Sequence, residues 1–136
     1  MKINHLGIAI RSLEKSVPIF EKIFGVKAGE IEYVSEQRVN VRKIYIENCD
    51  IELLEGTSPD SSITKFIEKK GEGIHHCSFE VSDIKNTLSK LKEEGINLIN
   101  EIPRTGADDM LIAFLHPKST AGVLMELTQF KGEETI

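Results

Sequence analysis

Four residues able to hold a cation recur at matched places in two stretches of this 136-residue chain. The first stretch reads Ile3-Asn4-His5-Leu6-Gly7-Ile8-Ala9-Ile10, the second Ile74-His75-His76-Cys77-Ser78-Phe79-Glu80-Val81. His5 aligns with His76, Ile8 with Phe79, Ile10 with Val81, Leu13 with Ile84, Val17 with Leu88 and Phe20 with Leu91, all at one offset (76 − 5 = 71). Each stretch is followed later by an apolar strand with a glutamate at its middle, Ile51-Glu52-Leu53 and Met125-Glu126-Leu127 (126 − 52 = 74). A duplicated module that supplies one His and one Glu per copy is the donor set of a four-ligand metal centre between the copies.

Two imidazoles and two carboxylates suit a borderline divalent ion, and Zn, Ni, Co, Mn and Fe(II) all accept such donors. With open positions left for water or substrate oxygens, the ion would polarise a carbonyl and stabilise an enolate when the neighbouring carbon loses its proton. Taken singly, each residue has a plainer reading. A lone strand histidine is usually hydrogen-bonded or half-exposed, and a lone glutamate between apolar residues is usually the solvent side of an amphipathic strand. A buried carboxylate, by contrast, is costly unless a metal or hydrogen-bond partner offsets it. The joint recurrence of His5, Glu52, His76 and Glu126 favours the metal. His75 and His116 lack a repeat partner and are read as exposed or supporting, and Glu47, Glu55, Glu93 and Glu94 as solvated charges.

The elements that must position these residues follow from periodicity. Residues 3–10 alternate and form a strand, which puts His5, Ile3 and Gly7 on one face and Leu6, Ile8 and Ile10 on the other. Helix packing takes one face and a cleft the other. Ser12 caps a helix whose apolar stripe is Leu13, Val17, Phe20 and Phe24, and Gly25 ends it. Pro18 removes a backbone donor and predicts a kinked or irregular first turn. Three strands follow near 26–34, 38–47 and 50–55, then a linking helix over Ser62–Lys70. The second copy predicts a strand at 73–81, a helix at 83–94 capped by Asp83, and strands near 96–101, 110–115 and 122–129.

Each module thus reads β-α-β-β-β, with the first over 1–58, the linking helix within 59–72 and the second over 73–136. The fold class is α+β, a single domain of two tandem βαβββ modules. A small sheet with one helix cannot cover both of its faces alone, so the two mixed sheets are expected to form a shared cleft.

Composition narrows the function classes. Apolar residues make up 40 % and charged residues 29 %, ordinary for a globular domain, and the net charge is −5. No basic stripe interleaved with aromatics is present, which argues against nucleic acid. No stretch approaches the ~18 apolar residues of a membrane span, and no signal peptide is read at the N-terminus. Cys49 and Cys77 are too few for a disulfide framework, so reduced thiols and a cytoplasmic location are expected.

These residues resemble the vicinal oxygen chelate superfamily, which includes glyoxalase I, extradiol dioxygenases and fosfomycin or bleomycin resistance proteins. More narrowly the chain is similar to the methylmalonyl-CoA epimerases. The similarity rests on Asn4-His5-Leu6-Gly7-Ile8-Ala9, on Gly71-Glu72-Gly73-Ile74-His75-His76 and on Glu101-Ile102-Pro103-Arg104-Thr105-Gly106-Ala107. Its most selective part is the run from Ile112 to Leu127, which contains Phe114-Leu115-His116-Pro117-Lys118-Ser119. The resemblance implies metal ligands at His5, Glu52, His76 and Glu126, and a homodimer acting on a small acyl-CoA. It implies inversion at the α-carbon of a malonyl-type thioester by proton abstraction, the enolate being stabilised by a divalent Co, Mn, Ni or Zn ion. Lys118 and Ser119 then become candidates for meeting the substrate carboxylate.

Two departures bear on that picture. Some epimerases carry an additional glutamate, and Val41 is read as standing in its place, which leaves Glu52 or Glu126 as the base. Asp108-Asp109 also stand where small residues are common, beside a loop that would approach an anionic CoA. The runner-up activity is that of lactoylglutathione lyase (glyoxalase I) on the methylglyoxal–glutathione hemithioacetal. A reading of another class is a non-catalytic binding or resistance protein, against which the complete ligand set counts. An Fe(II) dioxygenase is disfavoured because the fourth protein ligand would take a position that O₂ needs.

Overall fold

The computed structural model describes residues 1–133. In chain order the strands are β1 (Lys2–Ala9), β2 (Glu32–Val34), β3 (Val39–Tyr45), β4 (Asp50–Gly56), β5 (Gly73–Glu80), β6 (Arg104–Thr105), β7 (Leu111–Leu115) and β8 (Met125–Gln129). The helices are α1 (Leu13–Phe24), α2 (Ser62–Lys70) and α3 (Ile84–Glu93). The chain divides into two compact units, His5–His75 in one and Met1–Asn4 with His76 onward in the other.

In the first unit the strands lie in the order β2-β3-β4-β1, with β1 and β4 parallel and the other pairs antiparallel. The helix α1 covers one face, and Ile10, Leu13, Val17, Ile44, Ile51 and Leu53 form its core, with Leu6, Ile8 and Phe20 packed against them. In the second unit the order is β5-β8-β7-β6, again with one parallel pair, β5 and β8. There Val81, Ile84, Leu88, Ala113, Leu115 and Leu127 form the core under α3. Each unit is therefore a mixed sheet with a helix on one face, and the alternation predicted for residues 3–10 holds.

Caps define the helices as the sequence predicts. Ser12 Oγ accepts from Lys15 N, Asp83 Oδ1 from Asn86 N, and Gly25 closes α1 in the left-handed region at φ 69°. A further cap comes from the sheet. Glu55 Oε1 accepts from Leu13 N at 2.7 Å, and Gln129 Oε1 accepts from Ile84 N at 2.8 Å. These two carry the repeat offset of Glu52 and Glu126 (129 − 55 = 74), and each satisfies a helix amide that has no intrahelical partner. Glu55 is thus a part-buried capping group and not the solvated charge expected from the sequence.

Three other expectations change. Pro18 lies inside α1, yet the first turn closes normally through Ser16 N to Ser12 O at 3.0 Å. The donor that proline lacks would reach the Glu14 carbonyl, beyond that turn. The strand predicted from residue 26 begins only at Glu32. The Arg42 guanidinium donates to the Gly29 and Ala28 carbonyls and Glu21 accepts from Ala28 N, so side chains hold this backbone beside a backbone bond to β3, Gly29 N to Lys43 O at 2.8 Å. Likewise the strand predicted at 96–101 is reduced to a bridge between Leu98 and Leu115, and the ordered pair to β7 is Arg104–Thr105. Here Asn100 Oδ1 accepts from Phe114 N and Ser119 Oγ from Asn97 N. The linking helix α2 is as predicted, with Ser61 at its N-cap.

The sheet-borne caps give the first prediction. Glu55→Ala and Gln129→Ala should each lower unfolding free energy by about 1 kcal/mol in urea titrations, within the usual range of a lost cap. Glu55→Gln, which keeps the accepting oxygen, should retain most of the stability.

Candidate metal centre

In the first unit the parallel register sets Gly7 beside Glu52. His5 lies two residues before Gly7 and shares its face, opposite to the α1 core. Glu52 is in phase with that face, because Ile51 and Leu53 on either side of it pack under α1. The result is a contact between His5 Nδ1 and Glu52 Oε2 at 3.2 Å, with both side chains 6 % exposed. The antiparallel register of β3 and β4 then sets Lys43 beside Glu52, with Nζ 3.4 Å from the same Oε2 and its own side chain 7 % exposed.

Lys43 was not singled out by sequence reading. Its signal was the strand phase: Val39, Val41 and Lys43 alternate on one face and all three are buried. A lysine in the buried phase of a strand needs a partner, and here Glu52 is one. Val41 lies on the same face, and β3 carries no acid along Val39–Tyr45.

The second unit repeats the arrangement. Its parallel register sets Ser78 beside Glu126, and His76 lies two residues before Ser78 on the same face. His76, Ser78 and Glu126 are all buried. Phe114 of β7 occupies the register position beside Glu126 that Lys43 has beside Glu52, and its ring meets His76 edge-on at 5.6 Å between centroids. The structure therefore brings His5 and Glu52 together in one unit and puts His76 and Glu126 on one buried face in the other.

The remaining residues divide clearly. Lys118 is exposed on a 3-10 turn over Pro117–Ser119, and His116 Nδ1 accepts from its backbone N–H. Ser119 Oγ accepts from both Asn97 N and Asn97 Nδ2 at 2.9 Å, so it anchors the irregular segment before β6. His75 turns its ring edge to Phe66 of α2, and burial, with the Lys70 charge adding to it, lowers its pKa to about 4. Asp109 pairs with Lys131 at 2.9 Å, which offsets one of the two acids that seemed unfavourable for an anionic substrate. Cys49 and Cys77 form no disulfide among the described residues. No helix of the described residues is long and apolar enough to cross a membrane.

Comparison with known proteins agrees with this architecture. A family model described as the Glyoxalase/Bleomycin resistance protein/Dioxygenase superfamily matches residues 4–114. The mitochondrial methylmalonyl-CoA epimerase of Dictyostelium discoideum is 36 % identical over 129 residues, covering 94 % of this chain and 78 % of that protein. The ethylmalonyl-CoA/methylmalonyl-CoA epimerase of Cereibacter sphaeroides is 35 % identical over 130 residues, covering 94 % and 97 %. A Streptomyces coelicolor methylmalonyl-CoA epimerase variant, solved in complex with 2-nitronate-propionyl-CoA, superposes with a TM-score of 0.91 at 32 % identity, covering 100 % of this chain and 99 % of the other. With the mixed sheet and three helices of that fold in place, the chain belongs to the methylmalonyl-CoA epimerases, an isomerase family within the glyoxalase/bleomycin resistance/dioxygenase superfamily.

Proposed function

We propose that the chain epimerises methylmalonyl-CoA, or a related α-substituted malonyl thioester, with a divalent metal ion held by His5, Glu52, His76 and Glu126. The observation that carries this reading is made in each unit separately. A buried His and a buried Glu share the face away from the helix, the Glu set beside the residue two places after the His. His5, Glu52 and His76 each offer a buried ligand atom. Imidazole nitrogen with carboxylate oxygen fits Co, Mn, Ni or Zn, and a cation offsets the cost of burying Glu52 and Glu126.

When bound, such an ion supplies Lewis-acid polarisation of the substrate carbonyl, which makes the α-proton easier to remove. The chain itself must move that proton. Inversion takes it from one face of the α-carbon and returns a proton to the other, so two proton-carrying groups are required. Glu52 and Glu126, the one carboxylate contributed at the matched place of each copy, are the proposed pair. Lys118 and Ser119 are proposed to meet the substrate carboxylate. Ser119 Oγ accepts from Asn97 N and Asn97 Nδ2, which occupies its lone pairs and leaves its O–H to donate to an anion. Lys118, exposed beside it, adds a positive charge.

A lactoylglutathione lyase would use a similar proton transfer, but the glyoxalase likeness is at superfamily level, whereas the two relatives named above that match over 94 % of this chain bear epimerase names. The reading carries a cytoplasmic homodimer with it, so light scattering should give twice the chain mass.

Three outcomes follow. The protein loaded with Co(II) or Mn(II) should exchange the α-proton of methylmalonyl-CoA with deuterium from solvent, followed by proton NMR or mass spectrometry. No exchange with Co, Mn, Ni or Zn would overturn the reading, and turnover of the methylglyoxal–glutathione hemithioacetal in its place would make the protein a lyase. Glu126→Gln should slow exchange by about 10²-fold or more, the usual contribution of a positioned acid or base. Lys118→Ala should instead raise KM with kcat nearly unchanged.

A further inference from the structure

The duplication makes one side chain stand out. At equivalent register positions beside the two glutamates, the first unit has Lys43 and the second Phe114. The copies agree at His5/His76 and Glu52/Glu126 but differ here in full charge. Lys43 is also buried, which is rare for a lysine and requires compensation. Its Nζ and His5 Nδ1 approach the same carboxylate oxygen, Glu52 Oε2, at 3.4 and 3.2 Å.

We propose that Lys43 is a positioning residue that balances the charge of Glu52 and fixes which of its oxygens faces the metal. Resting on the metal-dependent reading above, this inference names what tunes that site. Oε2 is engaged by the ammonium and by His5, and these two contacts restrain the carboxylate. The Lys43–Glu52 pair is together neutral, like an amide ligand in net charge, whereas the residue in the matching register position beside Glu126 is the uncharged Phe114. Two carboxylates alike in sequence thus become unlike donors. Their difference comes from β3 and β7, strands that supply neither of the histidines nor the glutamates.

A cation lying within a few ångströms of the ion's ligand repels the ion and competes for the ligand. Lys43→Met, which keeps the length of the side chain and removes the charge, should therefore tighten Mn(II) binding by about tenfold or more in isothermal titration calorimetry, the size expected of an outer residue that tunes a metal. Lys43→Arg keeps the charge and should stay within about threefold of the parent. In the Lys43→Met/Glu52→Gln double variant the pair is again neutral, and affinity should fall back to within about threefold of the parent. Glu52→Gln alone, which leaves the ammonium uncompensated, should bind weakest of the four.

Circular dichroism of each metal-free variant separates these effects from misfolding. If Lys43→Met misfolds, the comparison of the double variant with Glu52→Gln still reads the coupling, because the double variant should bind tighter by about tenfold or more. Unchanged or weaker Mn(II) affinity in folded Lys43→Met, with the parent binding normally, overturns the role of Lys43 alone. A parent that binds no Mn(II), Co(II), Ni(II) or Zn(II) overturns the metal reading and this inference with it.

Discussion

The site depends first on the register of one parallel strand pair in each unit. Pairing β1 with β4 sets Gly7 beside Glu52, and pairing β5 with β8 sets Ser78 beside Glu126. In both cases the histidine lies two residues earlier on the same face, so the His–Glu relation is fixed by backbone hydrogen bonds. A slip of one residue would carry Glu52 under α1 and turn Ile51 and Leu53 outward. The apolar core of Ile10, Leu13, Val17, Ile44, Ile51 and Leu53 opposes that slip, so packing on one face holds the donor geometry on the other. The residues between histidine and glutamate are small, Gly7 and Ser78, which leaves room for the longer side chains to approach each other. Donors carried on strands are also held more rigidly than donors carried on loops.

A second repeated device ties each helix to the same strand that carries the glutamate. Three residues after Glu52, Glu55 points to the helix face and accepts from Leu13 N; three residues after Glu126, Gln129 does the same for Ile84 N. An odd spacing in a strand changes face. The spacing of three therefore lets one strand serve the site with one residue and the helix start with another. Ser12 and Asp83 complete the two N-termini locally. Helix position and donor position are thus coupled through the backbones of β4 and β8.

Much of this was legible in the sequence because it repeats. The 71-residue offset aligned the apolar stripes of α1 and α3, and Ser12, Asp83 and Gly25 marked helix ends by chemistry that is local. What was lost depends on contacts distant in sequence. Residues 26–31 and 96–101 have strand-like composition, yet Arg42, Glu21, Asn100 and Ser119 take backbone hydrogen bonds that a ladder would otherwise use. Glu55 read as a surface charge because its partner, Leu13 N, lies 42 residues away. Lys43 was overlooked for a related reason. Its phase with Val39 and Val41 could be read from the chain, but the carboxylate that makes its burial tolerable lies on the next strand.

A duplicated donor set creates a problem that its symmetry cannot solve. Inversion treats the two faces of a carbon in turn, but the molecule being inverted has a CoA arm on one side only, and the groups around it must differ to orient it. Identity of the copies at the histidines and glutamates conserves the geometry of the donors, while difference around them supplies direction. That difference is found at the positions flanking the glutamates, Lys43 against Phe114, and in the 3-10 turn of Pro117–Ser119 after β7. Lys43 is buried beside Glu52, whereas Lys118 is exposed. On the proposed reading the two lysines act on different parts of the problem: one sets the character of a donor, and the other provides charge outside the buried face. Because each comes from a strand or turn that carries none of the four proposed donors, charge around the site can vary without disturbing the register that holds those donors in place.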